Sequence, residues 1–248
     1  IAHKQMAIDL TFLRSLIAKA DMNFARDRCE SVVDGEDFVG FLCKKHGSSR
    51  AIAVFGKPLE YLSRLSTRQS RFRKFDDEQD AWRIIHAAPQ RYRIFVVQIE
   101  KALSPGHWHL VIMAHDVSAR KLYVHDSNGR THGNGYHLPT FAEALLRDYG
   151  VHFPGCTLGN DSARHYEGPQ RLHKAARTGY CMAWCAVTCE VLARHPQLRP
   201  ERLGSMLMQF IENRPGAPET ASIDFIRQVH ATVMKAMYGT TAACKLLR

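Results

Sequence analysis

Between Tyr92 and Asp126 the chain passes three times through short runs of β-branched and aromatic residues, a rhythm that demands a sheet. Tyr92 to Ile99 is the first run. Ser104, Pro105 and Gly106 break it, and His107 to Met113 is the second. A turn through Asp116 to Ala119 leads to the third, Lys121 to Asp126. Apolar runs of this length bounded by turn residues predict neighbouring strands of an antiparallel meander.

Outside the meander the period changes. Met6, Leu10, Leu13, Leu16 and Ile17 recur close to every 3.6 residues and predict an amphipathic helix over 5–20. A second helix is expected over 34–46, with Asp34 as its cap. Ala51 to Phe55 reads as a short buried strand stopped by Gly56 and Pro58. The stretch 59–90 is polar and basic and reads as mostly helical or irregular, with no clear sheet signal. Beyond the meander, Thr140 and Glu143 make a capping box for a helix over 140–149, and 151–156 reads as one more strand. The last third is helical: 180–193 closed by Pro196, 200–212 opened by Pro200, and 220–238. There is no internal repeat. The economical reading is one continuous α+β domain, in which 1–90 is a helical and basic elaboration and 91–248 holds the core.

The 248 residues suffice for a sizeable core, and 45% hydrophobic with 23% charged residues is ordinary for a globular chain. No apolar run approaches the roughly 18 residues that span a membrane. The chain begins at Ile1, so a missing signal peptide says little. Seven cysteines, an odd number without scaffold-like spacing, predict reduced thiols and hence a reducing, cytoplasmic compartment. The net charge of +10 is densest in Arg64, Arg68, Arg71, Arg73 and Lys74 around Phe72. Such a face suits nucleic acid, anionic lipid, inositol phosphate or an acidic protein, although a merely solvated face is the commoner outcome.

The chemistry lies at the strand ends. If residues 113 and 120 pair across the turn, His107 lies beside Asp126. A carboxylate there fixes the tautomer of the imidazole and leaves its other nitrogen as a base. His109 points to the same face and is the competitor, and His115 and His125 are further alternatives. Cys181 falls in the first turn of the 180–193 helix, where free N–H groups favour a thiolate. Cys185 and Cys189 lie deeper and read as small core residues. One zinc ion does not fit all three, because they spread over about 12 Å of helix rise. For an acyl-transfer site, the Cys181 N–H and the side chain of Gln170 are the candidate oxyanion donors.

The set His107-Trp108-His-Leu110-Val-Ile112, then Tyr123-Val-His-Asp126-Ser127, then Gln170, then Cys181 at a helix start resembles the clan of ubiquitin-like-protein-specific cysteine proteases. That clan holds SUMO proteases, adenovirus-type proteases and bacterial effector deubiquitinases. Its usual Asp-Cys-Gly is Tyr180-Cys181-Met182 here, and Gly179 to Trp184 looks like a divergent branch seen in large-virus proteins. The resemblance covers roughly 92–195. It implies a papain-like fold with a central mixed sheet and flanking helices, the cysteine helix packed against it. It implies hydrolysis of a peptide or isopeptide bond after the C-terminus of ubiquitin or a relative, with no cofactor and no metal. Cys181 is then the nucleophile, His107 the base, Asp126 the orienting acid and Gln170 an oxyanion donor. Trp108 lines a channel for the tail, with Tyr180 and Trp184 beside the cysteine as further substrate contacts. The setting implied is a host cytoplasm, after bacterial secretion or viral expression. Some effectors of the clan acetylate Ser, Thr or Lys with the same triad and respond to inositol phosphate, which is the alternative activity; they carry glutamate where this chain has Asp126. A catalytically dead binding module is disfavoured by the intact set.

Overall fold

The computed structural model describes residues 35–55, 59–63, 70–73, 78–100, 108–128, 143, 146–147, 150–159, 168–169, 180–198, 200–213 and 216–246. In chain order these give α1 (Gly35–His46), β1 (Ile52–Val54), β2 (Leu59–Ser63), β3 (Ser70–Arg73), α2 (Glu78–Ala87), β4 (Tyr92–Glu100), β5 (Trp108–Asp116), β6 (Lys121–His125) and β7 (Thr157–Leu158). The cysteine helix α3 (Cys181–Arg194) follows, then a 3-10 turn (Pro200–Arg202), α4 (Leu203–Glu212) and the long α5 (Pro218–Leu246). Among the described residues no helix is long and apolar enough to cross a membrane.

One mixed sheet of seven strands runs β3-β2-β4-β5-β6-β7, with β1 also on β4. The meander β4-β5-β6 is antiparallel, as its alternating runs require. Beside it β4 takes two parallel partners end to end: β1 against Tyr92–Ile94 and β2 against Val97–Glu100. Strand β7 joins β6 in parallel at the other edge.

Both faces of the sheet are covered, which is why the first run of the meander is apolar almost throughout. Ile94 and Val96 of β4 and Leu110, Ile112 and Ala114 of β5 pack with α1, α3, α4 and α5 in one large core. The alternate residues Phe95, Val97, Val111, Met113, Leu122 and Val124 pack with Ile85 and Phe153 in a second. Helix α3 lies inside the large core, and every residue from Cys181 to Leu192 is buried. Such a helix must be apolar all round, and its one buried acid is held by charge. Glu190 meets Lys45 of α1 at 3.0 Å and Arg194 at 2.5 Å, tying α1 to α3.

Several expected elements are corrected. Residues 59–90 contain a strand pair, β2 and β3, besides helix α2. Strand β3 is an edge strand carrying Arg71 and Arg73, and charges of that kind, usual on edges, mask the strand pattern. Residues 151–156 form successive turns rather than a strand, with Phe153 N–H on Gly150 O, Cys156 N–H on Phe153 O and Gly155 at φ +80°. The strand comes just after, at Thr157. Glu143, Leu146, Arg147 and Gly150 are helical, whereas Thr140, Asp34 and the helix expected over 5–20 lie outside the described residues.

Two glycines give opposite expectations. A Cβ on Gly159 meets the Tyr123 ring at 2.0 Å, whereas one on Gly40, inside α1, meets nothing within 4 Å. Denaturant unfolding should therefore show Gly159→Ala destabilised by about 1–3 kcal/mol. The same experiment should show Gly40→Ala stabilised by about 0.5–1 kcal/mol. Equal effects of the two would contradict this packing around β6.

Candidate active site

The hairpin register decides which histidine meets Asp126. Asp116 pairs with Lys121, and the ladder continues to Ile112 with His125. One more step along it sets Asp126 against Val111, so the next residue on that face of β5 is His109. The register expected from sequence is therefore off by four positions. Its origin is the turn. The Asp116 carboxylate accepts hydrogen bonds from Ser118 N–H at 3.0 Å, Ser118 Oγ at 2.6 Å and Ala119 N–H at 3.1 Å. An aspartate used in this way holds a tight loop by itself. Arg120 then closes the loop at φ +52°, in the left-handed region. The paired strands accordingly reach three residues nearer the turn than Met113.

His109 occupies the place beside Asp126 that was expected for His107. Its Nε2 lies 2.7 Å from Asp126 Oδ1, and both side chains are almost wholly buried. The same oxygen accepts the Asn128 backbone N–H at 2.8 Å, which fixes the carboxylate. With Nε2 engaged, Nδ1 is the nitrogen left for another partner. Cys181, the first residue of α3, lies near enough to His109 and to the Leu110 backbone for both to bear on its thiol. Asp126, His109 and Cys181 thus form one chain of contacts. His107 and Gln170 lie outside the described residues, and of Trp108 only the backbone is described, paired with Glu100.

Electrostatics favour the ion-pair form. Burial alone would push the Cys181 thiol up, but the His109 hydrogen bond and charge and the Leu110 backbone bring it below its ordinary value. Burial alone would lower His109, yet the Asp126 charge and hydrogen bond, with Cys181, lift it to about 10. Both shifts act towards an imidazolium and a thiolate. The position of Cys181 at a helix start helps in the same sense. Other described thiols go the opposite way: burial raises Cys43, lifts Cys156 to about 11 and Cys189 to about 12, and raises Cys185 well above the ordinary range. That agrees with reading Cys185 and Cys189 as core residues.

The other histidines weighed for the site are elsewhere. His115 stands near the far end of β5 beside Phe153, at a ring separation of 4.8 Å. His125 is buried among Ser127, Trp184 and Cys185 and is pushed by burial to about 4, so it is neutral. Tyr180 and Trp184, expected as substrate contacts, are 5% and 2% exposed within the large core. Trp184 packs on Phe225, and the Tyr180 hydroxyl accepts from Arg227 Nε at 3.2 Å. Both rings are packed in the interior beside α3. Cys181 itself is 7% exposed.

No protein-family model matches the chain, and no curated protein matches it. Solved structures similar to the chain include the Chlamydia trachomatis effector Cdu1 bound to ubiquitin, at 11% identity and a TM-score of 0.46, covering 84% of this chain and 94% of that one. ChlaDUB1, also a Chlamydia trachomatis effector protein, aligns at 12% identity and a TM-score of 0.44, over 98% of this chain and 97% of its own. Likeness at that level leaves function to the chemistry of the site.

The geometry predicts how the thiols react. In alkylation with iodoacetamide as a function of pH, Cys181 should be the fastest described cysteine and titrate below an ordinary thiol. His109→Ala should move that titration up by one unit or more, and His107→Ala should leave it in place. The reverse pattern would return the base to His107.

Proposed function

We propose that this chain is a cysteine peptidase that cleaves the peptide or isopeptide bond after the C-terminus of ubiquitin or a ubiquitin-like protein. The observation that carries the reading is the buried contact chain Asp126–His109–Cys181, together with a thiol whose affinity for its proton is lowered. A thiol nucleophile needs a base beside it and the base needs a third group to orient it. His109 of β5, Asp126 just past the end of β6 and Cys181 at the start of α3 support this assignment of roles.

In this mechanism the Cys181 thiolate attacks the scissile carbonyl carbon and forms a tetrahedral intermediate. The Cys181 backbone N–H, which a first-turn position leaves without an intrahelical acceptor, is the proposed oxyanion donor. Gln170 is the proposed second donor. Its sequence neighbour Pro169 lines a small cavity with Trp184 and Cys185 of α3. Collapse of the intermediate transfers the imidazolium proton of His109 to the leaving amine and leaves a thioester on Cys181. Neutral His109 then takes a proton from water as the oxygen attacks the thioester; collapse expels the Cys181 thiolate, restores the ion pair and releases a carboxylic acid, which gives its proton to solvent. Asp126 stays ionised and holds the ring.

The modifier is inferred from access and motif. A thiolate that is nearly closed off accepts only an extended tail with small side chains, such as two successive glycines. Trp108, beside His109 in sequence, is the proposed wall of that channel. The thiolate must also stay reduced, which fits work in a host cytoplasm as a secreted or virally expressed effector. The described cysteines are all free. The acetyltransferase alternative shares the acyl-enzyme and differs in the acceptor and in needing an acetyl donor.

A panel of ubiquitin-like proteins carrying C-terminal electrophiles tests the reading. One of them should form a covalent adduct on Cys181, lost in Cys181→Ala and retained in Cys185→Ala. Asp126→Asn should lower kcat/KM by about 10²–10⁴-fold. Failure of every probe, with radiolabel from acetyl-CoA accumulating on Cys181, would replace hydrolysis by acetyl transfer.

The pH profile follows from the same pair. Thiolate appears as pH rises through the lowered Cys181 value, and the imidazolium is lost as pH approaches about 10. Peptidase activity should therefore be bell-shaped, reporting two macroscopic values of the coupled pair. Removing Asp126 should pull the alkaline limb down in pH, and a limb that does not move would detach Asp126 from the imidazole.

A further inference from the structure

The far end of the meander carries a second concentration of chemistry. A cavity of about 240 Å³ opens there between α2, the β5–β6 turn and the turns at 152–156. It is lined by Arg93, Arg120, His86, His115 and His152 around Phe153. No carboxylate is among its described lining residues. We propose that this cavity binds a phosphate-class anion, as a free phosphate compound or as the phosphomonoester headgroup of a lipid.

The nearest acid on the same strand is already committed. Asp116 is gripped by Arg91, at 2.6 Å and 3.1 Å to Oδ2, and holds the turn through its Oδ1. It has no oxygen to spare for the cavity. Arg93 is 6% exposed; its Nη2 donates to the His86 carbonyl at 3.2 Å, and its guanidinium stands 5.0 Å from the Phe153 ring. The Phe153 ring also takes His86 at 4.4 Å and His115 at 4.8 Å, so one aromatic floor sets three cationic or titratable groups facing the same space. Arg120 sits in the turn with a left-handed backbone, its Nη1 3.8 Å from where a Cβ on Gly155 would stand.

The buried Arg93 is crowded by imidazoles and by the exposed Arg120, and an anion relieves this by accepting hydrogen bonds from the forked donors. His115 reflects the crowding: burial first, then the charges of Arg93 and His86, push it down to about 4 despite the adjacent Asp116. The groups facing it are Arg93 from β4, His86 from α2, and Arg120 and His152 across the cavity. The volume suits a phosphate group and a short ester stub, since pockets for larger ligands start near 300 Å³. His115 is six residues from His109 along β5, about 20 Å away, so the site is separate from the thiol.

Pyrophosphate is the probe, titrated into the full chain by calorimetry while histidine imidazoles are followed by NMR. The expected result is saturable binding that raises the His115 pKa by at least one unit. Arg120→Gln, on an exposed turn, should weaken binding five-fold or more while Cys181 still alkylates at the wild-type rate. Vesicles containing a phosphomonoester lipid form the second arm. Binding to them stronger than to soluble pyrophosphate assigns a headgroup, and binding only in solution assigns a free phosphate. No saturable binding, or an unmoved His115, overturns the site. So does binding that survives Arg120→Gln and disappears on replacing Arg71 and Arg73, which would put the anion on the basic edge strand.

Discussion

The hydrogen bond between His109 Nε2 and Asp126 Oδ1 is the contact on which the site depends, and it is set by backbone pairing some distance from it. Asp116 folds its carboxylate back on Ser118 and Ala119, the loop closes at Arg120, and every pair from Asp116–Lys121 to Ile112–His125 follows. A strand slip by two residues would present a different side chain to Asp126. Slips are costly here because alternate residues of β5 belong to two different cores, and a shift by one turns each core outward. The antiparallel ladder with β4, nine pairs long, locks β5 from its other side.

Burial works on the three site residues in opposing directions. An isolated thiolate in an apolar interior is unfavourable, as Cys185 and Cys189 illustrate in the helix that carries Cys181. What separates Cys181 is its place at the first residue of α3, next to an imidazole whose hold on its proton is raised by a buried carboxylate. Within the same low-dielectric surroundings the attraction between these charges is stronger than in water. The helix cannot drift from the histidine because it is anchored twice. Glu190 joins it to α1, and Tyr180, just before the cysteine, is held by Arg227 and by an edge contact with His230 at 5.7 Å.

Much of this was legible from residues alone. The three runs between Tyr92 and Asp126 became β4, β5 and β6, and the apolar stretch after Tyr180 became α3, because period and turn residues act locally. The central mixed sheet with flanking helices agrees with the expectation as well. Register was harder. Val117 to Arg120 contains no glycine or proline to mark a tight loop, and only the Asp-x-Ser pattern of Asp116 and Ser118 hinted at it. Reading that pattern would have favoured His109 over His107. Strands β2 and β3 were hidden because a charged edge strand lacks an apolar stripe. Burial of Tyr180 and Trp184 was hidden too, since it depends on where α5 packs, and nothing local encodes that.

The central claim is that His109 holds the proton while Cys181 holds the charge. Long-range nitrogen–proton NMR of the histidine imidazoles between pH 6 and 11 reads this directly. The account predicts that His109 remains doubly protonated above pH 8 and loses its proton near pH 10, and that Cys181→Ala lowers this transition by at least one unit. A neutral His109 at pH 7, unchanged by removal of the thiol, would contradict it.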